Sequence, residues 1–533
     1  MPAPIACLPC RRRHLKCDIK EPRCSRCEAQ GEECIYAASR RGCRGEKRRR
    51  TPQFVSTAEL DPEQASSLDT SPDILLQLDE NYYDPLAVSS IRQQAPSELD
   101  LSQDADIKRY YSYFHPAHPI LPSSAYFRAH SSRFASCVIT TMRFVGAHYH
   151  QPIAQRMPRS DTCTQAIRRE GSSTSAVQAM VIMTIALHAR NEQAHPLELL
   201  NDAIALALDL GLNDDSTVKR LAQEDDTMEE SLRRTWWELF VVESMLSALH
   251  RRSRLRTRDV IVSVPLPCDP TAADGTLSDI TLEQFKDRYF SPSDASYPSS
   301  MYRVEAAYIL SDVLTQSDNV EDPGDAFSDV DACLASWQHH LPVDKQELLD
   351  SAGNADEMLF QAHTMIHFAT ILLHLSRSHL QVAQSGRVTC TPVITSRVPA
   401  TFTPHTHAMR ATKAANEISR IASLPVAVDK HSPFWICSLV LSAIVQLSAC
   451  CATGSCDCLK PHRHQIIQTI GMLKTLQKIW PIAEYTLAQV RAVTAEITTT
   501  GWSAPTQAPC EMDVRLLDDA AWNADLNSLL MQP

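Results

Sequence analysis

The sequence lacks the short motifs around which the commonest catalytic sites are built. It contains no Gly-x-Ser-x-Gly nucleophile elbow, no phosphate loop ending in Gly-Lys-Ser/Thr and no His-Glu-x-x-His zinc motif. These motifs supply the local geometry that hydrolases, nucleotide-binding enzymes and metalloproteases need. Their absence predicts that the chain is not an enzyme. An enzyme whose chemistry is carried by the large domain is kept as the weakest alternative.

Secretion and membrane signals are also scarce. Met1 to Pro9 is short and leads straight into arginines, so no signal peptide is recognised, and reduced cysteines are expected. One uncharged run, Phe434 to Cys456, is long enough to span a bilayer. Because it contains Gln446, four serines and a glycine, a buried core helix is the better interpretation, and no membrane partner is predicted.

Charge is distributed unevenly along the chain. At 533 residues the chain is too long for one ordinary core, so two or more structural units are expected. Residues 1–50 carry 14 Lys and Arg against 6 Asp and Glu, which leaves 37 against 57 for the rest. A basic head on an acidic body indicates one small module that meets nucleic-acid phosphate, despite a formal net charge of −12.

Six of the 18 cysteines are concentrated near the start of the chain, in two halves with the same Cys-x-x-Cys-x6-Cys spacing. Two tetrahedral zinc ions need eight ligand positions, which six thiolates fill when two of them bridge both metals. A disulfide framework would need an oxidising compartment, and a RING-like module would need eight ligands with interleaved histidines. The pattern therefore predicts a zinc cluster whose ligands are Cys7, Cys10, Cys17, Cys24, Cys27 and Cys34.

The segment from Cys7 to Cys27, with Arg-Arg-Arg-His-Leu-Lys before Cys17 and Pro22 between the halves, resembles the fungal binuclear zinc cluster family, typified by the yeast galactose regulator. The resemblance implies two Zn²⁺ ions per chain as cofactor. It also implies that Cys7 and Cys24, the first cysteine of each half, bridge the metals, while the other four each bind one. Pro22 matches the loop proline that reverses the chain.

The two halves of the cluster differ in charge. The residues after Cys10 are mostly cationic, whereas those after Cys27 include Glu28, Glu32 and Glu33, which phosphate would repel. The first half is therefore expected to enter the major groove, where Arg and Lys read guanine. The predicted DNA-binding residues of this half are Arg11, Arg12, Arg13, His14 and Lys16.

One of these positions departs from the family pattern. Family members commonly have a lysine that contacts a CGG-type triplet where this chain has His14. Histidine has shorter reach and is mostly neutral near pH 7. The resemblance thus implies promoter DNA with CGG-like triplets as partner, while Arg13 or Lys16 is expected to carry more of the contact.

A second basic block runs from Ser39 to Arg50. Arg40 and Arg41 within it are predicted to follow the phosphate backbone, and the block can also serve as a nuclear localisation signal. The nucleus is therefore the expected location. The Ser39-Arg-Arg-Gly start of this block resembles regulators of fungal secondary-metabolite gene clusters.

The sequence divides into four predicted segments. Residues 1–36 form the zinc cluster, and residues 37–105 form a basic and then polar linker that is expected to be disordered. Residues 51–100 contain no coiled-coil heptads, so a homodimer, as the alternative to a monomer, would use the larger domain. Residues 106–500 form a helical domain, and residues 501–533 form an acidic and apolar tail.

Helical patterns fill the large domain, and few period-two runs occur, so an all-α fold is predicted. Ser173 to Ala189 and Pro196 to Leu210 are expected to pair, with Gly211 ending the second helix. A single apolar stripe is predicted on Ser231–Leu249. Further helices are predicted at 303–315, 326–340, 356–379, 407–423, 434–452 and 465–498.

This region resembles the middle homology regulatory domain of fungal transcription factors. The residues that carry the resemblance are Tyr110 to Leu121, Leu199 to Gly211 and Arg233 to Glu243. The resemblance implies regulation and effector or partner binding without naming a ligand. The aromatic and histidine stretch 110–118 could line a pocket, but core and turn roles explain it better.

Two further patterns keep alternatives open. The acidic, Leu- and Trp-containing tail is as typical of a segment that folds on a transcriptional coactivator as of a docked helix. A second metal site is a minor alternative, because its cysteines and histidines have irregular spacing; they are Cys450, Cys451, Cys456, Cys458, His462 and His464.

Together these patterns predict a zinc-dependent, sequence-specific DNA-binding regulator of RNA polymerase II transcription. The alternative from another class is an interaction scaffold whose zinc module does not read bases.

Overall fold

The protein is described here from a computed structural model in which the chain separates into two compact units, Met1–Arg92 and Gln93–Pro533. The described residues are 17–18, 20, 23–29, 101–150, 160–192, 195–268, 278–290, 296–317, 325–380, 404–453 and 456–499.

Helices make up the regular structure of the described residues. The first unit contributes α1, Ser25–Ala29. The second unit contributes α2 Ala105–Arg109, α3 Ser124–Ala129, α4 Ser136–Ala147, α5 Ser160–Glu170, α6 Thr174–Ala189, α7 His195–Leu210, α8 Asp215–Ala222, α9 Asp226–His250, α10 Leu282–Lys286, α11 Ser299–Ser317, α12 Asp325–Ser336, α13 Val343–Gln346, α14 Glu357–Leu375, α15 Pro404–Ala422, α16 Phe434–Thr453, α17 Cys456–Leu476 and α18 Pro481–Thr499. Over these ranges the β pairing is one isolated bridge, Leu349 to Ala355. The predicted all-α fold is confirmed.

The predicted helix pair is present as α6 and α7, which pack against each other. The Ser173 hydroxyl accepts a hydrogen bond from Ala176 N and so caps α6. At the end of α7, Gly211 adopts a φ of +74°, and Leu212 N donates to Ala207 O at 2.9 Å. Glycine ends the helix there because a left-handed residue is needed to close the last turn.

The single helix predicted over 465–498 is wrong, because the structure has two helices, α17 and α18. Pro481 occupies the first position of α18. Proline has no N–H to continue a preceding helix, but it is favoured at a helix start. The break therefore falls just before Pro481.

Helix α9 lies at the centre of the second unit and contacts α6, α7, α8 and α11. The predicted stripe is buried in full, and its members are Leu232, Trp236, Leu239, Phe240, Leu246 and Leu249. The opposite face is buried as well, since every residue from Glu229 to Leu249 except Arg234 is buried. The helix therefore carries charged side chains into the core.

Glu238 is one of these buried charges, and its partners come from distant parts of the chain. Arg303 donates two hydrogen bonds to its carboxylate, at 2.7 and 2.9 Å, and His118 Nδ1 lies 2.7 Å from Oε1. Arg303 Nε also donates to Gln361 Oε1 at 2.7 Å. Burial by itself would raise the pKa of Glu238, but Arg303 and His118 outweigh burial and lower the pKa to about 2. The carboxylate is therefore ionised in the core.

The aromatic and histidine stretch forms core and a turn, in line with the preferred interpretation. Tyr110–Phe114 is a π-helical turn in which Tyr110 and Phe114 are buried. His115 Nε2 lies 2.9 Å from the carbonyl oxygen of Leu121, and burial lowers the pKa of His115 to about 4. The same turn places the His118 side chain beside Glu238.

The two most apolar long helices are core elements. Helix α14 is long and apolar enough to cross a membrane by length and composition, but 89% of that window is buried inside the protein. Helix α16, which holds the uncharged run, is buried from Phe434 to Ala449. Both helices therefore bury their apolar side chains against neighbouring helices.

Replacing the central carboxylate by its neutral isostere tests how far the domain depends on it. In Glu238→Gln, Arg303 keeps its charge in the core without a counter-charge, so we expect the free energy of unfolding at pH 7 to fall by about 3–5 kcal/mol in urea denaturation. The folded-state pKa of Glu238 is about 2, below the ordinary value of 4.5. The contribution of the ionised carboxylate to the free energy of unfolding is therefore present above pH 4.5 and is lost as the pH falls towards 2. The difference in the free energy of unfolding between wild type and variant should therefore decrease between pH 4.5 and pH 2.

The control is Asp259→Asn, which breaks an ion pair with Arg254 whose side chains are 50% and 88% exposed. Solvent screens such a pair, so the loss should stay below about 1 kcal/mol. Equal losses in the two variants would contradict a special role for Glu238.

Candidate DNA-binding zinc site

Three of the predicted zinc ligands, Cys17, Cys24 and Cys27, belong to the described part of the first unit. The remaining predicted site residues lie outside the described residues, and they are Cys7, Cys10, Cys34, Arg11, Arg12, Arg13, His14, Lys16, Arg40 and Arg41. The structure thus tests how the end of the first half meets the start of the second.

The last cysteine of the first half lies beside the first cysteine of the second half. The ligand atoms of Cys17, Asp18 and Cys24 all lie within 4.8 Å of one another. Two thiolates on one tetrahedral zinc, each about 2.3 Å from the metal, lie about 3.8 Å apart. The Cys17 and Cys24 side chains therefore fit a shared metal ion.

Helix α1 positions the second half of the cluster. Cys24 directly precedes the helix and Cys27 lies within its first turn; they are 0% and 2% exposed. Cys27 N donates to Cys24 Sγ at 3.4 Å, and Glu28 N donates to Cys24 O at 3.0 Å. These two bonds hold the Cys24 side chain and the first turn of α1 in one arrangement, as an oriented metal ligand requires.

Asp18 has a role that the sequence did not reveal. Its carboxylate accepts hydrogen bonds from Ser25 N at 3.1 Å and from the Ser25 hydroxyl at 2.5 Å. The Ser25 hydroxyl bond contributes most to holding the pKa of Asp18 below its ordinary value. Because both oxygens bind the start of α1, Asp18 acts as a clamp between the two halves. The sequence feature that could have indicated this role is an acidic residue directly after a zinc ligand in a basic stretch.

One exposed carboxylate lies on α1. Glu28 is exposed in the first turn of α1, where it faces solvent. A carboxylate at this position favours the helix N-terminus but repels a phosphate backbone. The orientation of the second half away from DNA stays a prediction, because Arg26 on the same helix carries the opposite charge.

Comparison with known proteins identifies the family. Residues 5–45 match the Fungal Zn(2)-Cys(6) binuclear cluster domain, and residues 107–327 match the Fungal specific transcription factor domain. The chain is also similar to the C6 finger domain transcription factor iacK of Pestalotiopsis fici, with 31% identity over 545 residues that cover 93% of this chain and 80% of the relative. The chain belongs to the fungal binuclear zinc cluster transcription factors. No solved structure matches it.

Membership in these transcription factors confirms several predictions. The binuclear cluster domain binds two zinc ions, and the protein is a DNA-binding regulator of transcription. The donor chemistry agrees, since thiolates are ligands that zinc prefers and Cys24 already accepts an N–H bond. The matched helical segment extends from the middle of α2 into α12 and contains all of α9.

Removing the clamp tests how it supports the metal site. In Asp18→Ala the start of α1 loses its carboxylate acceptor, so the Cys24 and Cys27 thiolates are held less firmly. Groups that orient metal ligands are worth about 10–100-fold in metal affinity, and we expect a loss of about tenfold in competition with a chromogenic chelator.

The control is Glu28→Gln. The Glu28 carboxylate lies on the same helix, but it makes no described bond to the ligand side chains. Its zinc affinity should stay within about threefold, the size of a helix-dipole effect. A loss in Asp18→Ala no larger than in the control would show that the clamp does not support the site.

Proposed function

We propose that this transcription factor reads a short promoter sequence through the first half of its zinc cluster and regulates RNA polymerase II transcription in the nucleus. The observation that carries the proposal is the proximity of the Cys17 and Cys24 ligand atoms, which lie within 4.8 Å of each other. It ties the end of the basic stretch directly to the metal site, so zinc fixes the cationic side chains in one orientation. A fixed orientation is what sequence reading requires, because phosphate contacts alone carry no sequence information.

The proposed ligand set follows from the two-half arrangement. Cys7 and Cys24 bridge the two metals, while Cys10, Cys17, Cys27 and Cys34 each bind one. Full burial of Cys24 between Cys17 and the first turn of α1 supports its central place. A module with so few apolar residues depends on the metal for its folding free energy.

The proposed reading surface is the stretch from Arg11 to Lys16. Arg and Lys in this surface bind guanine O6 and N7 of CGG-like triplets, and His14 contributes at most one donor. Arg40 and Arg41 neutralise phosphates beyond the triplet, which strengthens binding without selecting a sequence.

The remaining segments are assigned by the same reasoning. Residues 106–500 form the regulatory domain and provide the surface for a homodimer, and the linker 37–105 connects it to the cluster. Residues 501–533 recruit coactivators by folding on them. The protein has no catalytic activity of its own and no membrane partner, and its targets belong to a secondary-metabolite gene cluster, as the Ser39-Arg-Arg-Gly segment suggests.

Alanine variants of the full-length protein test the assignment of the reading surface. Arg12→Ala, Arg13→Ala and Lys16→Ala should each lower the affinity for the selected site by about 1–3 kcal/mol, while non-specific binding falls less. Arg40→Ala and Arg41→Ala should weaken all sequences alike and reduce the slope of log affinity against log salt by about 1 each.

The matched control is Arg23→Ala, which removes an exposed cation from the segment between the two halves of the cluster. Its sequence preference should match that of the wild type. If the three first-half variants keep full preference for the site, the reading surface lies elsewhere in the protein. If the wild type shows no preference, the module is an interaction scaffold.

A further inference from the structure

Four histidines of the second unit lie where α14 ends and α15 begins. His374 belongs to the last turn of α14, and His407 belongs to the first turn of α15. Both of these side chains are buried, and their residues are 0% and 6% exposed. The other two, His379 and His405, are exposed and stack with their ring centroids 6.0 Å apart. Histidine is the side chain whose charge ordinarily changes near neutral pH, so the junction concentrates groups of that type.

The two buried rings contact each other directly. His374 Nδ1 lies 2.8 Å from His407 Nδ1, which is a hydrogen-bond distance. Such a contact needs a proton on one of the two nitrogens and a lone pair on the other. It cannot form when both rings are imidazolium ions, because each nitrogen then carries a proton. The contact therefore requires at least one neutral histidine.

Asp331 on α12 determines which nitrogen donates. His374 Nε2 lies 3.1 Å from Asp331 Oδ1, and an ionised carboxylate can only accept, so Nε2 carries a proton. In the neutral ring Nδ1 is then the acceptor, and His407 Nδ1–H donates to it. Burial alone would raise the pKa of Asp331, but the bond from His374 and the charge of Arg410 keep that pKa below its ordinary value. One chain of hydrogen bonds thus joins α12, α14 and α15.

The charges around the pair oppose a second proton. Arg410 on α15 shares the Asp331 carboxylate with His374. Arg377, which follows α14, is 3% exposed and donates to a backbone carbonyl oxygen of α11. Burial lowers the pKa of His407 to about 4, and the neighbouring His374 and Arg377 add to that effect. A second proton would therefore add positive charge to a site that already contains two arginines.

The largest charge effects on the pair come from Arg377, Arg410 and Asp331. Helix α16, which packs against both α14 and α15, has no acidic or basic side chain over residues 434–449. Helix α17 also contacts α15, and it carries His462, whose described contact is with α16. The next titratable side chains along α12, α14 and α15 are Asp329, Cys333, His367 and Lys413.

We propose that the His374–His407 pair is a pH-sensitive latch that closes the junction of α12, α14 and α15 at neutral pH and releases it in mild acid. At neutral pH the chain of hydrogen bonds from His407 through His374 to Asp331 is complete. When both rings are protonated, repulsion between two like charges replaces the bond between them, and the rings move apart. The use of the latch to control transcription rests on the proposed function, whereas the latch itself does not.

The direction of the pH effect follows from His407. Its pKa is about 4 when the latch is closed, below the ordinary 6.5, so the open state binds the proton more readily. The closed state is therefore favoured above pH 6.5 and loses that advantage as the pH falls towards 4. Between about pH 7 and about pH 5.5 the equilibrium constant for local opening should rise about eightfold.

Hydrogen–deuterium exchange of the full-length protein at about pH 7 and about pH 5.5, followed by mass spectrometry, measures this opening. The rates are corrected for the intrinsic dependence of amide exchange on pH. Peptides from the end of α14 and the start of α15 should then exchange about eightfold faster at the lower pH. Peptides from α9 report global unfolding and should change by less than about twofold.

The variant His407→Gln separates the latch from other titrations. Glutamine can donate from its amide to His374 Nδ1 but cannot gain a proton, so the exchange rate at neutral pH should stay near that of the wild type and should rise less than about twofold in acid. His374→Gln replaces the other ring and should also abolish most of the rise, so the test does not depend on the folding of one variant. The matched control His379→Gln removes an exposed histidine at the same junction and should keep the full rise.

Four results would overturn the proposal. They are junction exchange that does not change with pH, a rise in the α9 peptides as large as at the junction, a rise that persists in both His407→Gln and His374→Gln, and loss of the rise in the His379→Gln control. The measurement contains no DNA, so a failure of DNA reading would leave this result unaffected.

Discussion

An ionised carboxylate in the middle of the helical core constrains the elements around it. When α9 packs into the core, Glu238 needs charged or hydrogen-bonding partners, because an unpaired buried charge would destabilise the folded state. Its partners come from distant parts of the chain. His118 lies between the turn Tyr110–Phe114 and α3, and Arg303 lies on α11. Arg303 extends the network to Gln361 on α14, whose amide in turn donates to the carbonyl of Ala117. We therefore expect the packing of these helices to depend on this pairing.

The two units depend on different forces. In the second unit a large apolar core surrounds the buried polar network, so burial supplies most of the stability. In the first unit the described buried side chains are Cys24 and Cys27, and metal coordination has to replace a core. The two units therefore depend on different conditions for their stability, metal coordination in the first and apolar burial in the second.

Local patterns were readable from the sequence, and long-range pairings were not. The cysteine spacing, the all-α class and the Gly211 cap follow from neighbouring residues alone. The link between His118 and Glu238 joins residues 120 positions apart, and periodicity along α9 says nothing about which charge meets which. Asp18 was missed because its bond to Ser25 exists only once the two halves meet. Pro481 was a local signal of a helix break, but the continuous apolar pattern around it masked that break.

Selection of binding sites from random DNA by the full-length protein, with and without a zinc chelator, tests the central claim most directly. The account predicts enrichment of a CGG-like triplet in the presence of zinc and loss of that enrichment when the metal is removed. Two triplets at a fixed spacing would indicate a dimer, and one triplet a monomer. Recovery of no enriched motif with zinc present, or of the same motif after chelation, would contradict zinc-dependent sequence reading.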